Sequence, residues 1–258
     1  METLKIIKVG GNIIDDEAAL EKFLSQFAHL SGPKILVHGG GKLATQLAYK
    51  MDVPVHMLNG RRATDAATLD IITMVYAGKI NKNVVAKLQS NQCNAIGFTG
   101  ADGNTILSKK RLVKKIDYGF VGDIVKVNTK TIRLLLDHDM TPVFCAITHD
   151  KNGQLLNTNA DTIASELAIA LSATFKTELY YCFEKNGVLL SVDDDDSVID
   201  YMDTGTYETL KIRNTFADGM IPKLENCYHA LHEGVSKVII GNATVISNKD
   251  QKFTTLYL

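Results

Sequence analysis

The sequence predicts an α/β fold, a mainly parallel sheet with helices on both faces. Three observations carry this. Short apolar runs of strand length alternate with segments of helical periodicity, the β-α-β order that generates parallel sheets. Two of the earliest runs, Leu4–Val9 and Lys34–His38, end directly in the glycine clusters Gly10-Gly11 and Gly39-Gly40-Gly41. In an open parallel sheet ligands sit beyond the carboxyl ends of the strands, and that is where these glycines fall.

Leu4–Val9 reads as the first strand, and Asp16–Leu30 as a helix whose acidic first turn suits the positive end of its dipole. Lys34–His38 (KILVH) is the next strand, with Lys42–Met51 as the helix behind its glycines. Val53–Arg62 contains Pro54 and an Asn59-Gly60 turn signal, which predicts a hairpin-like excursion. Thr64 or Asp65 can cap a long helix running to about Ser90. Asn94–Phe98 is a strand leading into the glycine-rich GFTGADGN (97–104). Residues 105–127 read as strands joined by turns at Asp117–Gly119 and Gly122. A helix over Thr129–His138, a buried strand over Thr141–Ile147 and a helix from about Ala160 to Ser172 follow. Glu178–Phe183 is a strand, Ala217–Glu233 a helix, Lys237–Gly241 a strand and Lys252–Leu256 a last edge strand.

The 258 residues lie near the upper end for a single core, so one domain with two lobes is expected. A formal net charge of −1 gives no bulk electrostatic support for binding nucleic acid. No run reaches membrane-spanning length, and METLKIIKVGG lacks the apolar stretch and cleavage site of a secretory signal. Cys93, Cys145, Cys182 and Cys227 are widely spaced with no CxxC pair, which argues against zinc and for reduced thiols in a cytoplasm. The acidic run Asp193–Asp196 reads as a solvated loop, because adjacent aspartates do not converge on one ion by themselves.

Two glycine clusters, each between a strand and a helix, point to phosphate chemistry. Glycine lets backbone N–H groups approach an anion closely, and the helix dipole favours negative charge there. Tight strand–helix packing is the alternative use of such glycines. A Walker A loop is excluded, since Gly41-Lys42 is followed by Leu43 rather than Ser or Thr. Gly39-x-Gly41-x-x-Ala44 does match a relaxed dinucleotide fingerprint, and Arg61-Arg62 lie about twenty residues on, where an arginine can accommodate a 2′-phosphate. An NADP-linked oxidoreductase is therefore a rival reading. Lys8 weighs against it: a charge in an otherwise apolar strand, just before Gly10-Gly11, needs either an anion or a path to solvent.

The segments IIKVGG (6–11), HGGGK (38–42), NGRRATD (59–65), GFTGADGN (97–104), DYGFVGDIVKVN (117–128), LLNTNADTIA (155–164) and ADGMIPK (217–223) occur in this order. In this the chain resembles the acetylglutamate kinases of the amino acid kinase family over nearly its whole length. Aspartokinase, uridylate kinase and glutamate 5-kinase share the first two segments but not NGRRAT and LLNTNAD, which look like the acylglutamate branch. The resemblance implies the three-layer αβα sandwich of the family. It implies an N-terminal lobe over residues 1–173 for the acyl amino acid and dimerisation, and a C-terminal lobe over 174–258 for the nucleotide. It implies ATP and Mg²⁺ as cofactors, an N-acyl-L-glutamate as a small-molecule substrate, no metal site of protein side chains, and a homodimer.

Roles follow from the resemblance position by position. Lys8 would lie against the transferring phosphoryl group and Lys223 would reach it from the nucleotide side. Gly10, Gly11, Gly40 and Gly41 would donate backbone N–H groups to phosphoryl oxygens and the attacking carboxylate. Arg62 would pair with the α-carboxylate, a task its planar fork suits. Asn157 and Asn159 would hold the acyl amino acid, and Asp161 would hold the two lysines. A helix N-cap is the other reading of Asp161.

Three departures from the family pattern matter. The stretch Cys182-Phe183-Glu184-Lys185 carries Glu184 where relatives usually have an aspartate, which also leaves room for a catalytically weak amino-acid-binding regulator. Arg61 stands where the family is usually apolar, and Ala63 where valine is common. A second guanidinium and extra room suit N-succinyl-L-glutamate as an alternative substrate to N-acetyl-L-glutamate. Finally, the first strand starts by Leu4, leaving no room for the N-terminal helix of arginine-inhibited relatives, so a dimer insensitive to arginine is expected.

Overall fold

The computed structural model describes residues 1–58, 61–191, 193–213, 215–216, 220–247 and 252–258. The chain opens with β1 (Thr3–Val9), a single-turn α1 (Gly11–Asp15), α2 (Glu17–Ala28), β2 (Lys34–His38) and α3 (Gly41–Lys50). A two-stranded hairpin, β3 (Met57–Leu58) and β4 (Arg61–Arg62), leads to α4 (Ala66–Thr73) and α5 (Asn81–Ser90). Next come β5 (Ala95–Phe98), β6 (Ile106–Lys110), β7 (Gly122–Val127), α6 (Thr129–Leu136), β8 (Thr141–Cys145), β9 (Ile147–His149) and β10 (Leu155–Asn157). The rest is α7 (Ala160–Leu171), β11 (Lys176–Phe183), β12 (Tyr201–Met202), α8 (Thr204–Ile212), α9 (Met220–His232), β13 (Lys237–Asn242) and β14 (Thr254–Leu256).

Eight strands form the main sheet in the order β12-β14-β13-β11-β1-β2-β8-β5, all pairs parallel except β13–β14. Every residue of β2 and β8 is buried, as expected for parallel strands covered on both faces. Helix α7 packs on β1, β2 and β11 with α9 beside it; α2 packs against α5, which lies on β5 and β8. Buried Lys34 is tolerated in β2 because its Nζ donates to Ala28 O and Leu30 O, both at 2.7 Å, at the C-terminal end of α2. From β1 the chain passes to β2 and then to β5 and β8 on one side, β8 lying between β2 and β5, and it passes from β11 to β13 on the other. The β1–β11 junction is therefore a topological switch point, where a crevice opens beyond the strand ends. Lys8 stands there, in register with Val37 and Tyr181.

Several elements differ from the sequence expectation. Asp65, not Thr64, caps the helix after the hairpin, accepting from Thr68 N at 2.8 Å. That helix is not uniform: Met74–Ile80 is π-helical between α4 and α5. The run Thr141–Ile147 changes sheet at Ala146, so that β9 joins β10, β6 and β7 in a second, four-stranded sheet. Five-residue α1 and the β12–α8 pair are too short or too weakly patterned to register as periodic segments. The Asn59-Gly60 turn and the start of the helix expected from Ala217 lie outside the described residues. All four cysteines are free and buried, in keeping with reduced thiols.

A buried polar cluster ties β2 to the helix after the π-turn. Asn81 Nδ2 donates to His38 Nε2 (3.1 Å) and to Val143 O (2.9 Å). Nε2 is thus an acceptor, and the proton resides on Nδ1, which donates to Gly39 O at 2.8 Å. Burial pushes the His38 imidazole down to about 4, outweighing the Gly39 hydrogen bond that favours its charged form. The depressed value fixes the sign: this stabilisation is complete above the unfolded-state pKa and is lost as pH falls through the folded one. Between pH ~6.5 and ~4 the expected loss is about 3 kcal/mol. Urea unfolding from pH 7 to 4 measures it, and His38→Gln flattens the decline. An equally steep decline in the variant would place the acid sensitivity elsewhere.

Candidate active site

Beyond the ends of β1 and β11, opposite charges meet. Lys8 Nζ lies 2.8 Å from Asp161 Oδ1, with the two side chains 17% and 19% exposed. The contact is an ion pair, and Asp161 Oδ1 accepts no other hydrogen bond among the described residues. Burial raises the Asp161 carboxyl, but the Lys8 ammonium and, more weakly, Lys223 outweigh it and hold the group below the usual aspartate range. Asp161 is not the helix cap. Asn159 is, its Oδ1 accepting from Asp161 N (2.7 Å) and Thr162 N (3.1 Å), which places Asp161 in the first turn of α7. The Tyr181 hydroxyl donates to Asp161 O at 3.1 Å and ties that turn to β11.

Lys223, on α9, places its Nζ 5.2 Å from the centroid of the Phe183 ring at the end of β11. Lys8 and Lys223 border the same two cavities. One is a narrow space closed by Asp161, Tyr181, Phe183 and Asn226. The other, about 320 Å³, is bordered also by Gly10, Gly11, Glu184 and Lys185. A third cavity of about 280 Å³ adjoins the second glycine cluster and is bordered by residues 39–41, Arg61, Arg62, Tyr76, Arg111, Asn157 and Asn159.

The glycines serve different ends. Gly10 corrects the expectation that it donates to an anion: its N–H is committed to Cys182 O at 2.8 Å. A Cβ there would stand 3.0 Å from that oxygen, so glycine is required for close approach of β11. Gly40 has φ 153°, and a Cβ would fall 2.1 Å from Ile80 Cδ1 and 3.1 Å from the Tyr76 ring. The π-turn is what brings Tyr76 and Ile80 there. Gly10 and Gly40 are the N-caps of α1 and α3, and neither supplies a side-chain acceptor. The first N–H groups of these helices, Gly11 and Gly41 among them, have no side-chain cap.

Arg62 is anchored on one side only. Its Nη2 donates to Gly41 O (3.0 Å) and Thr45 Oγ1 (2.7 Å), while Nη1 is buried with no hydrogen-bond partner among the described residues. A half-anchored guanidinium of this kind is suited to receive a carboxylate. The dinucleotide reading needs an arginine far from the glycine loop, at the ribose; Arg62 instead touches that loop. Asn157 Nδ2 donates to Thr64 Oγ1 at 3.0 Å, leaving its Oδ1 uncommitted, and the Asn159 cap leaves Nδ2 uncommitted. Glu184 is exposed at the rim of the lysine cavity. Lys185 pairs with Asp195 at 2.5 Å, so the acidic run is a surface loop with one ionic tie to the strand end.

Sequence reasoning passed over Thr45, Tyr76 and Lys185. Thr45 was accessible from spacing, since it falls four residues after Gly41 on one helix face. Tyr76 was not, because its place depends on the π-turn.

Residues 3–242 match the model of the amino acid kinase family. The chain is 57% identical to the acetylglutamate kinase of Cytophaga hutchinsonii, over 94% of this chain and 92% of that one. It is 50% identical to the acetylglutamate kinase of Bacteroides thetaiotaomicron, over 96% and 97% of the two chains. Its fold is similar to that of N-acetylglutamate synthase from Neisseria gonorrhoeae, with a TM-score of 0.83 at 19% identity over 100% of this chain and 59% of that one.

Proposed function

The chain belongs to the amino acid kinase family, and on that premise we propose that it transfers the γ-phosphoryl group of ATP to the γ-carboxylate of N-acetyl-L-glutamate, a step of arginine biosynthesis. One observation carries the reading: Lys8, from the first strand, and Lys223, from the last long helix, border the same cavities next to the pocket that holds Arg62. The opposing difficulty is electrostatic. A carboxylate is already a nucleophile at neutral pH, so no general base is needed. Two anions must nevertheless meet in line.

In this reading a γ-carboxylate oxygen of the substrate forms the new bond to phosphorus. The bond from phosphorus to the β,γ-bridging oxygen breaks, and ADP leaves with that electron pair. Lys8 and Lys223 offset the charge on the transferring group and the leaving oxygen, and Asp161 positions Lys8. Gly11, Gly40 and Gly41 supply backbone N–H groups, and Gly10 supplies close approach. Arg62 binds the α-carboxylate, with Asn157 and Asn159 beside it. Residues 1–173 carry the acyl amino acid cavity, and residues 174–258 carry Lys223, Phe183 and the nucleotide side. Among the described residues no group of three or more His, Cys, Asp or Glu stands ready to hold a metal. In this reading Mg²⁺ would enter with ATP and would supply charge neutralisation on the phosphates.

A coupled ADP-release assay tests the proposal. N-acetyl-L-glutamate is expected to support turnover where glutamate and aspartate do not. Absence of ADP release with any acylglutamate would leave an amino-acid-binding protein; the Lys8–Asp161 pair and Lys223 support catalysis instead.

A further inference from the structure

We propose that Lys185 is a third phosphate-binding cation of this site, and that Asp195 holds it in reserve until a nucleotide arrives. The proposal rests on the phosphotransferase reading above and adds a residue to its nucleotide side.

Place and charge single out Lys185. It follows the end of β11 by two residues and borders the 320 Å³ cavity that Lys8, Lys223, Gly10 and Gly11 also border. Among the described residues of that cavity, three lysines face a single acid, Glu184. The three ammonium groups are committed differently. Lys8 is held by the largely buried Asp161 at 2.8 Å. Lys223 lies over the Phe183 ring and has no ion pair among the described residues. Lys185 meets Asp195 at 2.5 Å, with the two side chains 44% and 70% exposed. A pair so open to water is weakly held, because both charges keep much of their hydration and salt screens their attraction. A nucleotide polyphosphate carries more charge than one carboxylate and offers several strong acceptors. The flexible four-carbon stem of the lysine lets its ammonium turn from the loop to the cavity.

The carboxylate that gives up the ammonium stays in place, because its loop is closed on itself. Asp194 Oδ1 accepts from Asp196 N at 3.0 Å, and Asp194 O accepts from Ser197 N at 3.1 Å and from Ser197 Oγ at 2.6 Å. Ser191 N donates to Ser197 Oγ at 3.0 Å. Lys252 Nζ, donating to Asp196 O at 3.2 Å, ties the same turn to the chain just before β14. The Asp195 carboxylate accepts from no group but Lys185 among the described residues. A turn tied in this way does not depend on Lys185 for its shape, so the Lys185–Asp195 contact can exchange while the loop persists.

The test is a double-mutant cycle read by the Kd of ADP, with the KM values for ATP and N-acetyl-L-glutamate measured alongside. Lys185→Ala is expected to weaken ADP and to raise the KM for ATP by about 10-fold, the lower end of the scale for a charge-assisted contact. The KM for the acyl amino acid stays unchanged. Lys185→Arg, which keeps the charge, restores most of the affinity. Asp195→Asn is expected to tighten ADP by roughly 2- to 5-fold, the scale of an exposed ion pair. A variant that only disturbs the fold does not gain affinity, so this sign separates a held-back cation from a structural tie. In the Lys185→Ala background the same asparagine gains nothing. Wild-type ADP affinity in Lys185→Ala overturns the proposal and leaves the kinase reading intact. So does an Asp195→Asn that fails to tighten ADP, or that tightens it equally with and without Lys185. A wild-type chain that binds neither ADP nor ATP overturns both.

Discussion

Lys8→Ala is expected to lower kcat by about 10²-fold or more, the scale for losing one preorganised donor in a water-poor site. The alanine removes more than a charge near phosphate. Asp161 is paired with Lys8 at 2.8 Å, and burial already works against its ionised form. Without the ammonium, a carboxylate faces the transferring group with only Lys223 to offset it. Repulsion then adds to the lost attraction, and both act on the step at which charge moves to the leaving oxygen. The KM for the acyl amino acid should change little, because Lys8 does not border the Arg62 cavity. An ADP-release assay with both substrates varied separates the parameters, and normal turnover in the variant would remove the role given to Lys8.

Arg62→Ala is expected to lower kcat/KM for the acylglutamate by about 10²-fold or more, the scale of a bidentate charge-assisted contact. The loss should appear chiefly in the KM for the acyl amino acid, with the KM for ATP nearly unchanged. Arg62→Lys should not restore it. The Nη2 edge of the guanidinium holds Gly41 O and Thr45 Oγ1 while the buried Nη1 keeps unused donors, and a single ammonium cannot do both in that geometry. A lysine variant with native kcat/KM would mean that only the charge matters and that the half-anchored fork is incidental.

How far the chain could be read without its structure depends on the range of the forces involved. Strands β1, β2, β11 and β13 were legible because strands of a parallel sheet covered on both faces appear as short, largely apolar runs. The glycine clusters were legible because only glycine admits the close approach of Gly10 to Cys182 O and the positive φ of Gly40. Lys8 drew notice as a charge in an apolar strand. What stayed hidden is tertiary. The π-turn that brings Tyr76 and Ile80 onto Gly40 leaves no mark on hydrophobic periodicity, which remains helical throughout. The capture of the Gly10 N–H by β11 depends on a strand far away in sequence. The Arg61–Arg111 proximity joins the hairpin to the end of β6, a pairing that spacing alone does not suggest.

The central claim is that cations from both halves of the chain converge on one transferring phosphoryl group. The most direct measurement is a crystal structure with ADP, N-acetyl-L-glutamate and an aluminium fluoride mimic of the phosphoryl group in flight. The account predicts the Lys8 and Lys223 ammonium groups both at about 3 Å from fluoride or bridging oxygen, on either side of the mimic. Either ammonium turned away from the mimic, toward solvent or another carboxylate, would contradict it.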